Sequence, residues 1–268
     1  MNVVPGEAFR QVTDDEVDFF ADRGYVKLPR LISPELAGEL LARAQAIAGP
    51  DCRDGDKDPT DRKEGWFYDR HEMHLRDDLY AEVYTDRSIG VAAARLLGRD
   101  MPIRAFLNLV VVKPAAPPEG EWAPGETPWH QDYGGIPVVG TTINFWIALN
   151  KMTPDMGTVQ FMEGSHRLGI YGHHPERWPR LDGLPTTEPM TLEPGDATSH
   201  MSLMFHRAGT NVTDTPRWGF IVLCFPADAP YTGGYKEQTD GLGLVPGQPI
   251  DHPRFPLLYD PVPEPAVR

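Results

Sequence analysis

Cysteine, long apolar runs and positive charge are all scarce in this chain of 268 residues. Only Cys52 and Cys224 occur and no CxxC pair is present, which excludes a disulfide scaffold or a cysteine zinc site and makes a reducing cytoplasm the expected compartment. No membrane association is expected, because the N-terminus lacks a signal-peptide pattern and the longest apolar runs, such as 106–112, are only strand-sized. Lysine and arginine number 25 against 39 acidic residues, and the net charge of −14 disfavours nucleic acid as a partner.

Glycine and proline, in contrast, are abundant, with 26 and 28 residues, while 40% of the chain is hydrophobic. This composition is too apolar for disorder and too interrupted for a helical bundle, so we expect short strands joined by many turns. The length favours a single domain over residues 1–268, of barrel or sandwich type. The composition carries no signal for an oligomeric state.

The first part of the chain, about 1–100, has helical patterns. Three helices are predicted from their starting residues and apolar stripes: about 13–23, 34–48 and 86–97. The first begins with a capping box formed by Thr13 and Glu16. Residues 51–64 are highly charged and are predicted to form an exposed loop.

From Met101 onward the pattern changes to short β-rich runs bounded by turn residues. The predicted strands are 103–112, 129–133, 141–149, 158–162, 189–192, 197–206 and 217–225. Such a series after a helical part indicates a closed sandwich or barrel core at about 101–228, with helices on one outer face. The final stretch, 228–268, is predicted to wrap the surface as irregular chain.

A candidate metal motif stands at the start of the β-rich half, in the sequence WHQD at 129–132. If this segment is extended, His130 and Asp132 point to the same face, so an imidazole and a carboxylate can share one metal ion. A His-x-Asp triplet also occurs by chance as a surface loop or a salt-linked pair. The motif therefore needs a third partner.

That partner is predicted in the segment 198–206, where strand alternation puts His200 and His206 on one face. Either histidine completes a set of two histidines and one carboxylate, which leaves three positions open on non-haem Fe(II). A chelating co-substrate and dioxygen can occupy those positions, whereas a structural metal is closed by four protein ligands.

A cation is predicted close to this site. Arg217 begins the apolar run 217–225, after a turn that contains Asn211. If the strands before and after that turn pair as a hairpin, Arg217 returns to the end of the sheet where His206 lies. A guanidinium there can hold a carboxylate in a bidentate pair. The alternative is an arginine that caps a strand in a surface ion pair.

Together these residues resemble the phytanoyl-CoA dioxygenase family of Fe(II)- and 2-oxoglutarate-dependent oxygenases, and the resemblance covers nearly the whole chain. The opening TDDEVDFFADRGYVKLPRLI at 13–32 is similar to the family's N-terminal helix and strand, and WHQD to its first metal motif. The segment GTVQFMEGSHRLG at 157–169 resembles a stretch that usually contains Gly-Ser-His. The segment 192–217 resembles the stretch from the distal histidine to the arginine, with an asparagine five residues after the histidine.

The resemblance implies a double-stranded β-helix, or jelly-roll, of cupin-like type with flanking helices. It implies His130, Asp132 and His206 as the metal ligands and catalytic centre, with His200 supporting them or packing. It further implies that Arg217 binds the far carboxylate of 2-oxoglutarate, while Trp146 and Leu109 line the co-substrate pocket, although the last two are equally compatible with plain core positions. One departure stands two residues after His206, where Ala208 replaces a frequent serine, so that Thr210 or water would have to supply the hydroxyl.

The expected cofactors and co-substrates are Fe(II), 2-oxoglutarate and O2, and the expected reaction removes hydrogen from a small or medium-sized organic substrate and hydroxylates it. Secondary metabolism is the expected setting. The same hydrogen abstraction can instead lead to epimerisation, cyclisation or desaturation, whereas the carboxylate of Asp132 disfavours halogenation. A non-catalytic cupin-like metal-binding protein is the alternative of another class, and a zinc hydrolase is disfavoured because no second carboxylate is evident as a general base.

Overall fold

The computed structural model describes residues 8–50, 52, 67–98, 100–117, 125–171, 181 and 183–261. The described helices are α1 (Asp14–Arg23), α2 (Pro34–Ala48), α3 (Asp78–Tyr84) and α4 (Arg87–Leu96), with 3-10 turns at Met73–Leu75, Pro154–Met156 and Ser165–Leu168. The described strands are β1 (Tyr25–Leu28), β2 (Tyr68–His71), β3 (Ile103–Lys113), β4 (Thr127–His130), β5 (Ile143–Ala148), β6 (Val159–Phe161), β7 (Ala197–Met201), β8 (His206–Ala208), β9 (Arg217–Pro226) and β10 (Leu257–Tyr259). Nearly all of the predicted loop at 51–64 lies outside the described residues.

The three predicted helices are confirmed, because their caps form as the sequence indicates. Thr13 and Glu16 make both bonds of the capping box of α1, which ends at Gly24 with a φ of 80°. Ser33 accepts a hydrogen bond from the Leu36 amide at the start of α2. Helix α3 is not predicted by the sequence pattern, since it is only seven residues long and has little room for a periodic pattern.

Two antiparallel sheets form the core. The larger has the order β1-β7-β5-β9-β3-β10, with β2 also paired to β3, and the smaller has the order β4-β8-β6. The outer face of the larger sheet packs against the helices, so that the even-numbered side chains of β9, such as Phe220 and Val222, join the main apolar core. Its inner face and the smaller sheet line a common cavity. The prediction of a mainly β fold with flanking helices and a jelly-roll core is confirmed.

Several strand boundaries differ from prediction. Residues 197–206 form two strands in different sheets, β7 and β8, separated by a turn in which the Ser202 hydroxyl accepts a hydrogen bond from the Thr142 amide. The predicted strand at 189–192 is reduced to an isolated bridge at Leu192. The C-terminal stretch is mostly irregular, but β10 pairs with β3 and is packed against α4.

Across the described ranges, no helix combines the length and the apolar character needed to cross a membrane.

Candidate metal centre

His130 and Asp132 reach one cavity from the end of β4. His130 is the last residue of that strand and pairs with His206 of β8, while Asp132 follows after the strand has ended. The predicted strand at 129–133 is therefore wrong in its extent, and Asp132 stands where a turn begins, with its backbone carbonyl accepting from the Gly135 amide. Its Oδ1 atom lies 3.6 Å from Nε2 of His130 and 3.7 Å from Nε2 of His206.

Gln131 fixes the backbone between these two residues. Its side chain is 2% exposed, and its amide group donates to the carbonyl oxygens of Gly169 (2.8 Å) and Leu203 (2.7 Å). Its Oε1 atom accepts from the backbone amide of Tyr171 at 2.8 Å. Sequence reasoning missed this role, because all three partners are distant in the chain.

The two imidazoles have the same orientation relative to the backbone. Nδ1 of His130 lies 2.8 Å from the carbonyl oxygen of Pro128, and Nδ1 of His206 lies 3.0 Å from that of Met204. A carbonyl oxygen only accepts, so each Nδ1 carries the proton and each Nε2 presents a lone pair on the side of Asp132. This is the tautomer in which histidine binds a metal through Nε2.

One potential ligand atom from each of His130, Asp132 and His206 lies within 4.8 Å of the other two. Burial would raise the pKa of the Asp132 carboxyl, but the neighbouring imidazoles of His206, His200 and His130 lower it, and the net shift is downward. Burial and the nearby His200 lower the pKa of His206 to about 4. The group therefore offers an ionised carboxylate and a neutral His206 at neutral pH, and it resembles a site of two histidines and one carboxylate for iron.

His200 lies beside this group but on β7, in the larger sheet. Its Nε2 atom is 3.2 Å from Oδ2 of Asp132, whereas the contacts of the other two histidines are with Oδ1. The single predicted strand that would carry both His200 and His206 does not exist. The two side chains nevertheless meet, because the two sheets face each other across the cavity, and their ring centroids are 4.2 Å apart.

Arg217 is buried in the same cavity, with 3% of its surface exposed. The predicted hairpin that would place it is wrong, because β9 pairs with β3 and β5, whereas β8 pairs with β4 and β6. Burial lowers the pKa of Arg217 to about 9, which still leaves it charged at neutral pH. Its guanidinium donates to the carbonyl of Gly157, its Nε has no partner, and no carboxylate pairs with it among the described residues. Such an uncompensated buried cation favours an anionic ligand.

Asn211 holds the turn that leads into Arg217. Its side-chain amide donates to the carbonyl oxygens of Lys113, Pro114 and Thr215 at 2.8–3.2 Å. Its Oδ1 atom accepts from the backbone and the hydroxyl of Thr213. This asparagine therefore joins the end of β3 to the start of β9.

Trp146 and Leu109 lie on the inner face of the larger sheet, each paired in register with Ile221, and both line the cavity. The Arg217 guanidinium carbon is 5.2 Å from the centroid of the Trp146 ring. A Cβ atom at Gly219 would lie 2.4 Å from Cζ2 of that indole, so the glycine provides the space that Trp146 occupies.

The cavity has a volume of about 230 Å³. Its apolar wall is formed by Phe67, Leu109, Val111, Ile136, Val159, Ile221 and Leu223. Among the described residues that line it, Asp132 is the only carboxylate. The hydroxyl of Thr198 also lines it and is buried without a partner among the described residues, whereas Thr210 is not part of its wall. Asn144 was missed by sequence reasoning, although alternation along β5 places it on the face of Trp146.

Comparisons with known proteins agree with this geometry. The sequence model of the phytanoyl-CoA dioxygenase family (PhyH) matches residues 20–219. Dioxygenase cdmD of Talaromyces verruculosus is 38% identical over 85 residues, which are 32% of this chain and 26% of that protein. The matched region thus spans about a quarter of the length of this curated relative.

Solved structures are similar over much more of the chain. The epimerase SnoN, crystallised with Fe3+, alpha ketoglutarate and nogalamycin RO, has a TM-score of 0.78 and 25% identity, and the match covers 92% of this chain and 98% of SnoN. The carbocyclase SnoK from nogalamycin biosynthesis has a TM-score of 0.77 and 23% identity, covering 96% of this chain and 99% of SnoK. The similarity to SnoK shows a shared fold.

Proposed function

The chain belongs to the phytanoyl-CoA dioxygenase family, and from that membership we propose that it is a non-haem Fe(II)- and 2-oxoglutarate-dependent dioxygenase. One observation carries the proposal: a cluster of two histidines and one aspartate shares a mostly apolar cavity with the buried, uncompensated Arg217. The cluster suits a metal with open positions, and the arginine suits a co-substrate with a second carboxylate.

His130, Asp132 and His206 would hold the iron, since their donor set and tautomers fit it. When bound, Fe(II) with 2-oxoglutarate and O2 supplies the oxidising power that removes hydrogen from carbon. With these three side chains as its protein ligands, the metal would keep room for the co-substrate and O2.

Arg217 would bind the far carboxylate of 2-oxoglutarate, with Trp146 beside the guanidinium and Leu109 on the neighbouring wall. Ala208 stands where a serine is frequent and cannot donate a hydrogen bond to that carboxylate. Thr198 offers a hydroxyl in its place, because its Oγ1 atom is buried in the same cavity without a partner among the described residues.

The apolar wall of the cavity suits a small or medium-sized organic substrate, and secondary metabolism is the proposed setting. The proposed compartment is the cytoplasm, because both cysteines are free thiols. Hydroxylation is the first expected outcome. Epimerisation is the second, favoured by the similarity to the epimerase SnoN. Labelling with ¹⁸O₂ separates them, because a hydroxylated product gains one labelled oxygen and an epimerised product gains none.

The experiment that tests the proposal is the anaerobic addition of Fe(II) and 2-oxoglutarate to the purified protein. We expect a weak visible charge-transfer band that is lost in Asp132→Ala and Arg217→Ala. Arg167→Ala is the matched control, because Arg167 is paired with Asp22 outside the cavity, and it should keep the band. A metal-binding protein without the co-substrate, including a zinc hydrolase, would bind metal and show no band, and that result would overturn the proposal.

A further inference from the structure

The two carboxylate oxygens of Asp132 have different surroundings. Oδ1 lies 3.6–3.7 Å from the Nε2 atoms of His130 and His206. Oδ2 instead lies 3.2 Å from Nε2 of His200 and accepts a hydrogen bond from Nδ2 of Asn144, also at 3.2 Å. The contacts to His130 and His206 are therefore made by Oδ1, and those to His200 and Asn144 by Oδ2.

The donors to Oδ2 are held rigidly. Asn144 of β5 and His200 of β7 are directly paired in the larger sheet, and they are 7% and 2% exposed. A carboxylate only accepts hydrogen bonds, so Nε2 of His200 carries the proton in this contact. Nδ1 of His200 and Oδ1 of Asn144 are buried without a hydrogen-bond partner among the described residues. Among the described residues, the hydrogen bond to Asp132 is thus the only one that the side chain of His200 or of Asn144 makes.

We propose that His200 and Asn144 are positioning residues that keep Oδ2 of Asp132 away from the metal, so that Asp132 binds through Oδ1 alone. The inference rests on the proposed function, because it assigns a role relative to the iron that His130, Asp132 and His206 would hold. A carboxylate with both oxygens unrestrained can rotate and bind through both. It would then occupy a position that 2-oxoglutarate or O2 requires.

The test compares variants that differ only in the hydrogen-bond donor. His200→Gln keeps an N–H group at about the place of Nε2, whereas His200→Met has a similar length and no donor. Asn144→Leu removes the amide with little change of volume. Met201→Leu is the control, since Met201 lies on the same strand as His200 but is not part of the cavity wall.

The first readout is titration of the metal-free protein with Co(II), without 2-oxoglutarate, followed by visible absorption and calorimetry. We expect His200→Met and Asn144→Leu each to bind Co(II) about 10- to 100-fold more weakly than the wild type, because a carboxylate that its donors no longer hold must be ordered when the metal binds. His200→Gln should recover most of the affinity, and Met201→Leu should match the wild type. The second readout is the change in the Co(II) spectrum on adding 2-oxoglutarate, which should be smaller in the two variants that lack the donor.

Equal Co(II) affinity in the wild type, His200→Met and Asn144→Leu would overturn the inference and leave the proposed function intact. A loss in His200→Met that His200→Gln does not reverse would also overturn it, since the cause would then be packing. If circular dichroism shows that His200→Met is unfolded, the comparison of Asn144→Leu with Met201→Leu decides. A wild type that binds no Co(II) would overturn the proposed function itself.

Discussion

Substituting Gly219 with alanine tests how closely Trp146 is packed above the inner sheet face. The new Cβ atom would lie 2.4 Å from Cζ2 and 2.7 Å from Cε2 of the indole, distances that real contacts do not show. Trp146 must therefore move, and with it the ring that flanks the Arg217 guanidinium. Overpacking of this kind costs about 1–3 kcal/mol of unfolding free energy.

The direction of the change in unfolding free energy makes the test decisive. Gly219 has an ordinary strand backbone, so without the clash an alanine would stabilise the strand by about 0.5–1 kcal/mol. Urea unfolding followed by far-ultraviolet circular dichroism should show a lower midpoint for Gly219→Ala with an unchanged slope. In a Trp146→Leu background the same change should become neutral or stabilising, because the indole is gone.

A matched control is available at Gly38, which lies in α2, where an added Cβ atom would meet no described atom within 4 Å outside its own helix turn. Gly38→Ala should stabilise the protein by about 1 kcal/mol through helix propensity alone. If Gly219→Ala raises the unfolding midpoint as Gly38→Ala does, the reasoning about Trp146 is refuted.

Three further outcomes are expected. Gln131→Leu should lower the unfolding free energy by about 1–3 kcal/mol, because it removes the side-chain partner of two part-buried carbonyls and one part-buried backbone amide, and an unfolding midpoint equal to the wild type would contradict this. Asn211→Leu should also lower the midpoint, since it removes the hydrogen bonds to the carbonyls of Pro114 and Thr215, through which Asn211 joins the end of β3 to the start of β9. Val212→Thr, at the exposed neighbouring position, should leave the midpoint unchanged. Burial lowers the pKa of His74 below its ordinary value of 6.5. Just below pH 6.5 the folded protein therefore binds fewer protons than the unfolded chain, and the unfolding free energy falls as the pH drops through that range. His74→Gln should make the fall in thermal midpoint between pH 7 and pH 5 shallower, and an unchanged slope would argue against this assignment.

Local chemistry made three of the four described helices predictable from sequence. The capping box at Thr13 and the Ser33-Pro34 start act within a few residues, so the sequence contains all of the information that places them. Strand alternation placed His200 and His206 on one face of a single strand, whereas the two side chains reach the cavity from two strands. Alternation could not show that the chain turns between them and continues in a second sheet, because that turn depends on contacts with the distant Thr142, just before β5.

The candidate site could likewise be predicted from sequence only in part. The resemblance to a family singled out His206 and Arg217, and the structure brings both to one cavity, but by a strand pairing different from the predicted hairpin. The contacts of Gln131, Asn144 and His200 span 12 to 72 residues of sequence. No local pattern carries such contacts, so the partners of these side chains are visible only in the folded chain.

The most direct test of the central claim is anomalous diffraction at the iron edge from crystals grown anaerobically with Fe(II) and 2-oxoglutarate. The account predicts one strong peak within bonding distance of Nε2 of His130, Oδ1 of Asp132 and Nε2 of His206, with the far carboxylate of 2-oxoglutarate on Arg217. A peak bound by other residues, or a co-substrate that does not contact Arg217, would contradict it.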